Sequence, residues 1–236
     1  MSKNNNILLY GLHACRAALN NPKRKIKRIF ATERAAGEIQ LSHKHPTPKI
    51  IPMRDFDKIL PKDAVHQGIA VETENLPESG IKDIIDCTII VALDQVTDPH
   101  NVGAIMRSCI AFGAEAVLFA KDNAPSFSGA LAKSASGTLE EIKCCKVTNL
   151  ARTLEQLKKE GYWIAGLDGN TDTDIDKANL SGKTVLVMGS EGKGLRKITR
   201  NACDLLVRLP ISDKVESLNV SNAAAIALYE ISRKNR

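Results

Sequence analysis

Two hydrophobic periods alternate along this chain. Near the N-terminus the short apolar runs "NILLYG", "IKRIFAT", "KIIPM" and "GIAVET" predict strands, and "GLHACRAALNN" and "RDFDKIL" predict short helices. "NLPESG", Asn75 to Gly80, has the turn chemistry of a linker. Beyond it the runs lengthen. "CTIIVALD", "EAVLFA", "YWIAGLD", "KTVLVMG" and "CDLLVRLP" read as strands, and the continuously apolar "CTIIVALD" as a covered parallel one. "NVGAIMRSCIAFG", closed by Gly113, "ARTLEQLKKEG", ending at Gly161, and "SLNVSNAAAIALYEISRK" read as helices. Strands alternating with helices in both segments predict an α/β class. With 236 residues, the expected division is a first domain over 1–75, a linker over 76–85 and a second domain over 86–236.

Charge sharpens this division. Met1 to Pro77 carries 13 Lys/Arg against 7 Asp/Glu, whereas Glu78 to Arg236 carries 20 of each. The whole excess of +6 therefore lies in the first third, which points to a polyanion held there. Lys23, Arg24, Lys25, Lys27 and Arg28 in "NPKRKIKRIF" are the densest cluster and the candidate grip on a nucleic-acid backbone. Aromatic residues are only 4%, so base-stacking platforms are minor. The six cysteines include no C-x-x-C pair, and adjacent Cys144 and Cys145 fit a strand better than a staple. That excludes a disulfide framework or zinc knuckle and points to a reducing cytoplasm. No apolar run approaches the length of a membrane span, and "MSKNNNILLYG" lacks the apolar core of a leader.

The candidate chemistry gathers in three stretches. In "VLVMGSEGKGL" an apolar strand runs into Gly189, Gly192 and Gly194. The spacing of Gly189 and Gly194 matches a phosphate loop, but Leu195 and Arg196 stand where that loop needs lysine and a hydroxyl residue. The Gly-Lys-Thr at Gly182 lacks its first glycine, since Lys177 occupies that place, and no dinucleotide fingerprint follows the first strand. What remains is a turn where backbone approaches a ligand closely, with one carboxylate, Glu191, inside it. In "LDQVTDPHNVGAIMRSCIAFGA" a strand ends at Asp94 and a polar loop feeds a helix; Asn101 can cap that helix or present its amide near the site. Arg107 lies six residues on, in an otherwise small and apolar helix; taken alone it reads as a surface arginine. In "LPISDKVESLNVSNAAAIALYE" Ser217 or Asn219 opens the last helix, whose alanines permit close packing.

Together, "DPHNVGAIMRS", "VMGSEGKGL" and "LPISDKVESLNVSNAAAIALYE" resemble the three motifs of the SpoU-type (TrmH-like) RNA ribose 2'-O-methyltransferases of the SPOUT superfamily. "YGLHACRAAL" and "HQGIA" resemble that family's N-terminal substrate-binding domain. The resemblance implies a small α/β (L30e-like) domain followed by a SPOUT catalytic domain with a C-terminal trefoil knot, which periodicity would never show. It implies S-adenosyl-L-methionine as methyl donor and a ribose 2'-hydroxyl as acceptor. The two-domain members it most resembles act on a guanosine of 23S rRNA. Backbone at Gly189, Leu209 and Leu218, with Met188 and Ile211 as neighbours, would hold the cofactor. Asn101, Arg107, Glu191, Ser217 and Asn219 would serve catalysis. A guanidinium stays protonated, so Arg107 suits stabilising an alkoxide better than acting as a base. No metal is implied, and the family is typically a homodimer. Two alternatives remain: a tRNA ribose methyltransferase, and an RNA-binding or ribosome-assembly factor with an idle pocket.

Overall fold

The computed structural model describes residues 6–235 and divides into two compact units. The first comprises the chain to Pro77 together with Ser126–Glu141; the second comprises Glu78–Pro125 and Ile142–Arg236.

In the first unit β1 (Asn6–Tyr10), β2 (Ile26–Ala31), β3 (Lys49–Ile50) and β4 (Ile69–Glu74) form a sheet in the order β1-β4-β2-β3. β4 runs antiparallel to both β1 and β2, and β3 pairs parallel to β2. α1 (Leu12–Asn20) buries Ala14, Cys15, Ala18 and Leu19, one stripe at helical spacing. Three details depart from the periodicity. "RDFDKIL" forms a 3₁₀ turn, Met53–Lys58, around buried Phe56. "KIIPM" supplies only the two residues of β3. A short α2 (Glu33–Glu38) appears where no helix was expected, started by Thr32, whose hydroxyl accepts the Ala35 N–H at 3.2 Å.

The segment Ser126–Glu141 is the larger departure, because a division into contiguous blocks assigns it to the second domain. Its helix α4 (Gly129–Ala135) packs on β1, and any side chain at Gly129 would strike the Leu8 carbonyl and the Tyr10 ring. Glu140 follows and meets Arg24, which it buries.

The second unit is a six-stranded parallel sheet in the order β10-β8-β9-β5-β6-β7. The strands are β5 (Ile89–Asp94), β6 (Ala116–Ala120), β7 (Lys143–Val147), β8 (Trp163–Leu167), β9 (Thr184–Gly189) and β10 (Leu205–Val207). All six residues of β5 are buried, as a central parallel strand covered on both faces requires. The covering helices include α3 (Pro99–Ala111), α5 (Leu150–Lys159), the short α6 (Lys197–Asn201) and α7 (Val220–Lys234). From β5 the chain builds outward through β6 to β7, then crosses to β8, β9 and β10 on the other side. In such sheets the crevice lies beyond the strand C-ends where the winding reverses.

Candidate active site

The glycine turn follows β9, and each glycine has its own reason. At Gly189 a β-carbon would strike the Gly194 carbonyl and lie 2.5 Å from Leu195 N. Gly192 and Gly194 have φ of +76° and +63°, the left-handed region that glycine enters without strain. Ser190 and Gly194 exchange two main-chain hydrogen bonds, at 3.2 and 2.9 Å, which close the loop. Its far end is anchored by the fully buried Asp94 at the tip of β5. That carboxylate accepts the Arg196 main-chain N–H at 2.9 Å and its Nε at 2.6 Å. The two sequence stretches that begin at Leu93 and Val185 are thus tied at the strand ends.

Glu191 projects from the loop toward the start of α7. Its Oε1 accepts Asn219 Nδ2 at 2.6 Å and the Val220 main-chain N–H at 3.2 Å. A carboxylate there also complements the helix dipole. Asn219 is the N-cap of α7: its Oδ1 accepts the Ser221 N–H at 2.9 Å, so its amide nitrogen faces the other way. That nitrogen donates to Glu191 and, at 3.0 Å, to Asn101 Oδ1. One side chain therefore joins all three stretches. Of the two roles the sequence leaves open to Asn101, it does not take that of cap to α3. Asp98 does, accepting the His100 N–H at 3.0 Å, with Pro99 as first helical residue. Asn101 is left free to meet Asn219.

Beside this cluster lies a cavity of about 430 Å³. Of the expected cofactor residues, Met188, Gly189, Leu209, Ile211 and Leu218 all line it, as do Glu191 and Ser217. Asn219 sits between Leu218 and Val220, both on the wall. Among the described residues the main-chain N–H groups of Leu209 and Leu218 have no protein acceptor, so unused donors border the slot.

Arg107 is not part of this assembly. Six residues beyond Asn101 it lies about 9 Å along α3 and about 120° around it. It is exposed and does not line the cavity. Within this chain Glu191 is engaged by Asn219 and Val220.

Sequence reasoning also missed one wall of the cavity. Asp168, Gly169 and Asn170 follow β8, and Arg200 and Arg208 come from α6 and the end of β10. Asp168 pairs with Arg200 Nε at 3.2 Å, and Asp174 takes Arg208 Nε at 2.8 Å. Hydrogen bonds from Lys177 and then Arg208 hold the Asp174 carboxyl below its ordinary range. The signal was present: "GLDGN" is a strand running into a polar glycine turn, like "VMGSEG".

In the first unit the basic cluster divides. Arg24 is 7% exposed; its guanidinium binds both oxygens of Glu140 and donates to the Glu74 carbonyl at 2.8 Å. It is a core ion pair, and its assignment as a phosphate contact is corrected. Lys23 is exposed. Lys25 and Lys27 reach Glu74 at 3.5 and 2.7 Å, and Arg28 pairs with Glu72, yet all three remain substantially exposed.

Comparisons with known proteins converge on one group. The profile of the SpoU rRNA Methylase family matches residues 88–229, and that for RNA 2'-O ribose methyltransferase substrate binding matches residues 8–79. The chain is 38% identical over 239 residues to the 23S rRNA (guanosine-2'-O-)-methyltransferase RlmB of Pseudomonas aeruginosa, covering 96% of each chain. It is 35% identical over 238 residues to RlmB of Escherichia coli, covering 96% of this chain and 98% of that one. Among solved structures, the SpoU methyltransferase AviRb from Streptomyces viridochromogenes, in complex with AdoMet, shares the fold with a TM-score of 0.80. Their identity is 22%, over 98% of this chain and 92% of that one. The glycine turn, the Asn219 junction and the cavity beside them are thus features of a chain that belongs to the SpoU rRNA methylase family.

Proposed function

We propose that this protein transfers the methyl group of S-adenosyl-L-methionine to the ribose 2'-oxygen of a guanosine in 23S rRNA. The observation that carries the reading is the Glu191–Asn219–Asn101 junction set against the cavity. The relatives named 23S rRNA (guanosine-2'-O-)-methyltransferase supply the substrate.

The cavity suits the cofactor. Its volume lies within the ~300–1,000 Å³ of small-molecule sites, Met188, Leu209, Ile211 and Leu218 supply apolar surface, and main-chain donors at Leu209 and Leu218 match the edge of a purine. Gly189 leaves room where any side chain would force the loop open. When bound, the cofactor supplies a sulfonium methyl, an electrophile with a neutral thioether as leaving group. The protein's task is then alignment and charge. Asn219 fixes the mouth of the cavity by holding the glycine loop and α3 together. Asn101 Oδ1 is occupied by Asn219, which leaves the Asn101 amide nitrogen to donate to the nucleotide. Ser217 on the wall offers a hydroxyl to the substrate phosphate. Arg107 stabilises the developing alkoxide as a permanent cation.

Arg107 is exposed and does not line its own chain's cavity, so in this reading a second copy provides it. The exposed stripe Ile226 and Tyr229 on α7 lies beside α3, with Phe112 edge-on to Tyr229 at 5.9 Å. This apolar face supports a homodimer in which Arg107 of one protomer serves its partner's cavity. A C-terminal trefoil knot belongs to the same reading. Its support is that the chain leaves β9 through the loop at 190–195, visits β10 at the sheet edge, and returns to start α7 against Glu191. The first unit holds the RNA, with Lys23, Lys25, Lys27 and Arg28 as backbone contacts. Among the described residues no helix is long and apolar enough to cross a membrane. An rRNA substrate and six cysteines outside any disulfide fit the cytoplasm.

The test uses purified protein, labelled S-adenosyl-L-methionine and separate unmodified 23S rRNA and tRNA pools, with methylated riboses mapped. Label at a single 23S guanosine supports the proposal. Label confined to tRNA, or cofactor binding without transfer to either RNA or to an assembling large subunit, overturns it.

A further inference from the structure

The wall that sequence reasoning missed carries a second assignment. Asp168 follows β8, and its side chain is 11% exposed at the cavity. It is held rigidly. Its own N–H donates to the Val207 carbonyl at 2.9 Å, the Asn170 N–H reaches Oδ1 at 2.8 Å, and Arg200 Nε reaches Oδ2 at 3.2 Å. The strand beneath it has no slack, since a β-carbon on Gly166 would lie 2.8 Å from both Cys203 Sγ and Leu195 Cδ1.

Each carboxylate oxygen carries two lone pairs. The Asn170 N–H takes one acceptor position on Oδ1 and the Arg200 guanidinium lies in ion-pair contact with Oδ2, so both oxygens retain acceptor capacity. Two adjacent acceptors on a rigid, mostly enclosed carboxylate match two adjacent O–H donors. A phosphate is excluded by like charge, and an apolar group would leave both acceptors unpaired. Arg200 offsets the carboxylate's charge, so a neutral ligand group leaves the site balanced.

We propose that Asp168 is a specificity-determining residue that accepts both hydroxyls of the cofactor's ribose, with Arg200 as its positioning partner. The assignment rests on the cofactor reading above and adds the orientation of the bound adenosyl group. The diol lies against the end of β8, and the reactive end of the ligand turns toward Glu191 and Asn219. The site thereby selects a free ribose diol and rejects adenosine carrying phosphate at the 2'- or 3'-position.

The test is calorimetric binding of three ligands to wild-type protein and to Asp168→Asn, with thermal melts to confirm folding. The ligands are S-adenosylhomocysteine, 5'-methylthioadenosine, which keeps the diol but lacks the amino-acid tail, and the 2',3'-dideoxy form of 5'-methylthioadenosine. The variant is expected to lose about tenfold to a hundredfold in affinity for both diol ligands, the range of a charged hydrogen bond. The dideoxy ligand is expected to bind both proteins equally, and to bind wild type more weakly than its parent. Equal weakening of all three ligands would make Asp168 a structural residue. Loss confined to S-adenosylhomocysteine would assign Asp168 to the ammonium of the tail. Either result overturns the proposal. If wild type binds none of the three, the cofactor reading itself fails, which the first two outcomes leave intact.

Discussion

Replacing Glu140 by alanine is expected to unfold the first unit selectively. Arg24 and Glu140 are 1% and 6% exposed in their side chains. Glu140 accepts Arg24 Nε on both oxygens, at 3.1 and 2.9 Å, and Arg24 Nη2 at 2.8 Å; it also accepts Asn21 Nδ2 at 2.8 Å. Alanine leaves the guanidinium buried with one remaining acceptor, the Glu74 carbonyl. Removing one partner of a buried pair costs about 3–5 kcal/mol, most of it from the uncompensated charge. A domain of this size shifts by roughly 4–8 °C per kcal/mol, so its transition should fall by about 15 °C or more. Hydrogen exchange resolved by peptide is the assay, because a two-unit chain need not melt in one step. Residues 6–77 and 126–141 should lose protection together, while 142–235 keep theirs. The double change Arg24→Leu with Glu140→Leu removes both charges and should recover most of the loss. It should also leave RNA affinity and its salt dependence unchanged, since Arg24 faces no phosphate. A loss below about 1 kcal/mol for Glu140→Ala, or loss of protection in 126–141 without 6–77, would refute the reasoning.

Other consequences follow from the same contacts. Gly189→Ala should abolish S-adenosylhomocysteine binding by calorimetry, because its methyl would displace the Gly194 carbonyl; retained affinity would mean the loop is not the cofactor's support. Arg107→Ala should abolish transfer yet leave S-adenosylhomocysteine affinity within about twofold. Mixing it with Asn219→Ala should restore activity, through hybrid dimers holding one intact site; no recovery would sink the shared-site arrangement. Replacing Lys23, Lys25 and Lys27 by glutamine should weaken RNA binding and lower the salt slope by about 1 per lost phosphate contact, and an unchanged slope would remove that strip from the interface. Burial pushes the Cys15 and Cys203 thiols up to about 12 and Cys145 to about 11, so native protein at pH 8 should alkylate at these positions far more slowly than unfolded chain. Burial also lowers the His66 pKa, so its neutral form favours folding. That contribution is complete above about pH 6.5 and should fade as pH drops toward the folded value, seen as a small decrease in melting temperature that His66→Gln removes.

Local pattern carried most of the secondary structure. Parallel strands announced themselves as continuous apolar runs, because burial on both faces leaves no polar position, and β5 is the clearest instance. The glycine turn, the start of α7 and the polar loop before α3 were legible because each needs a special residue type, which leaves a local mark. The lining residues Met188, Gly189, Leu209, Ile211 and Leu218 were likewise named from motif resemblance and meet at one cavity. What stayed hidden were the pairings between distant residues. Arg24 stands among four exposed basic neighbours and is distinguished only by Glu140, 116 residues away in sequence. The fate of Ser126–Glu141 was invisible for the same reason, as α4 finds its apolar surface on β1. Which of its two roles Asn101 takes was hidden as well: Asp98 caps α3, and Asn101 meets Asn219 instead. Residue type and local spacing therefore determined which elements form and what chemistry is available. Only tertiary packing decided which charges are buried, which face solvent, and which carboxylate at the cavity keeps acceptors to offer a ligand. Those outcomes depend on distances between segments that no local period encodes.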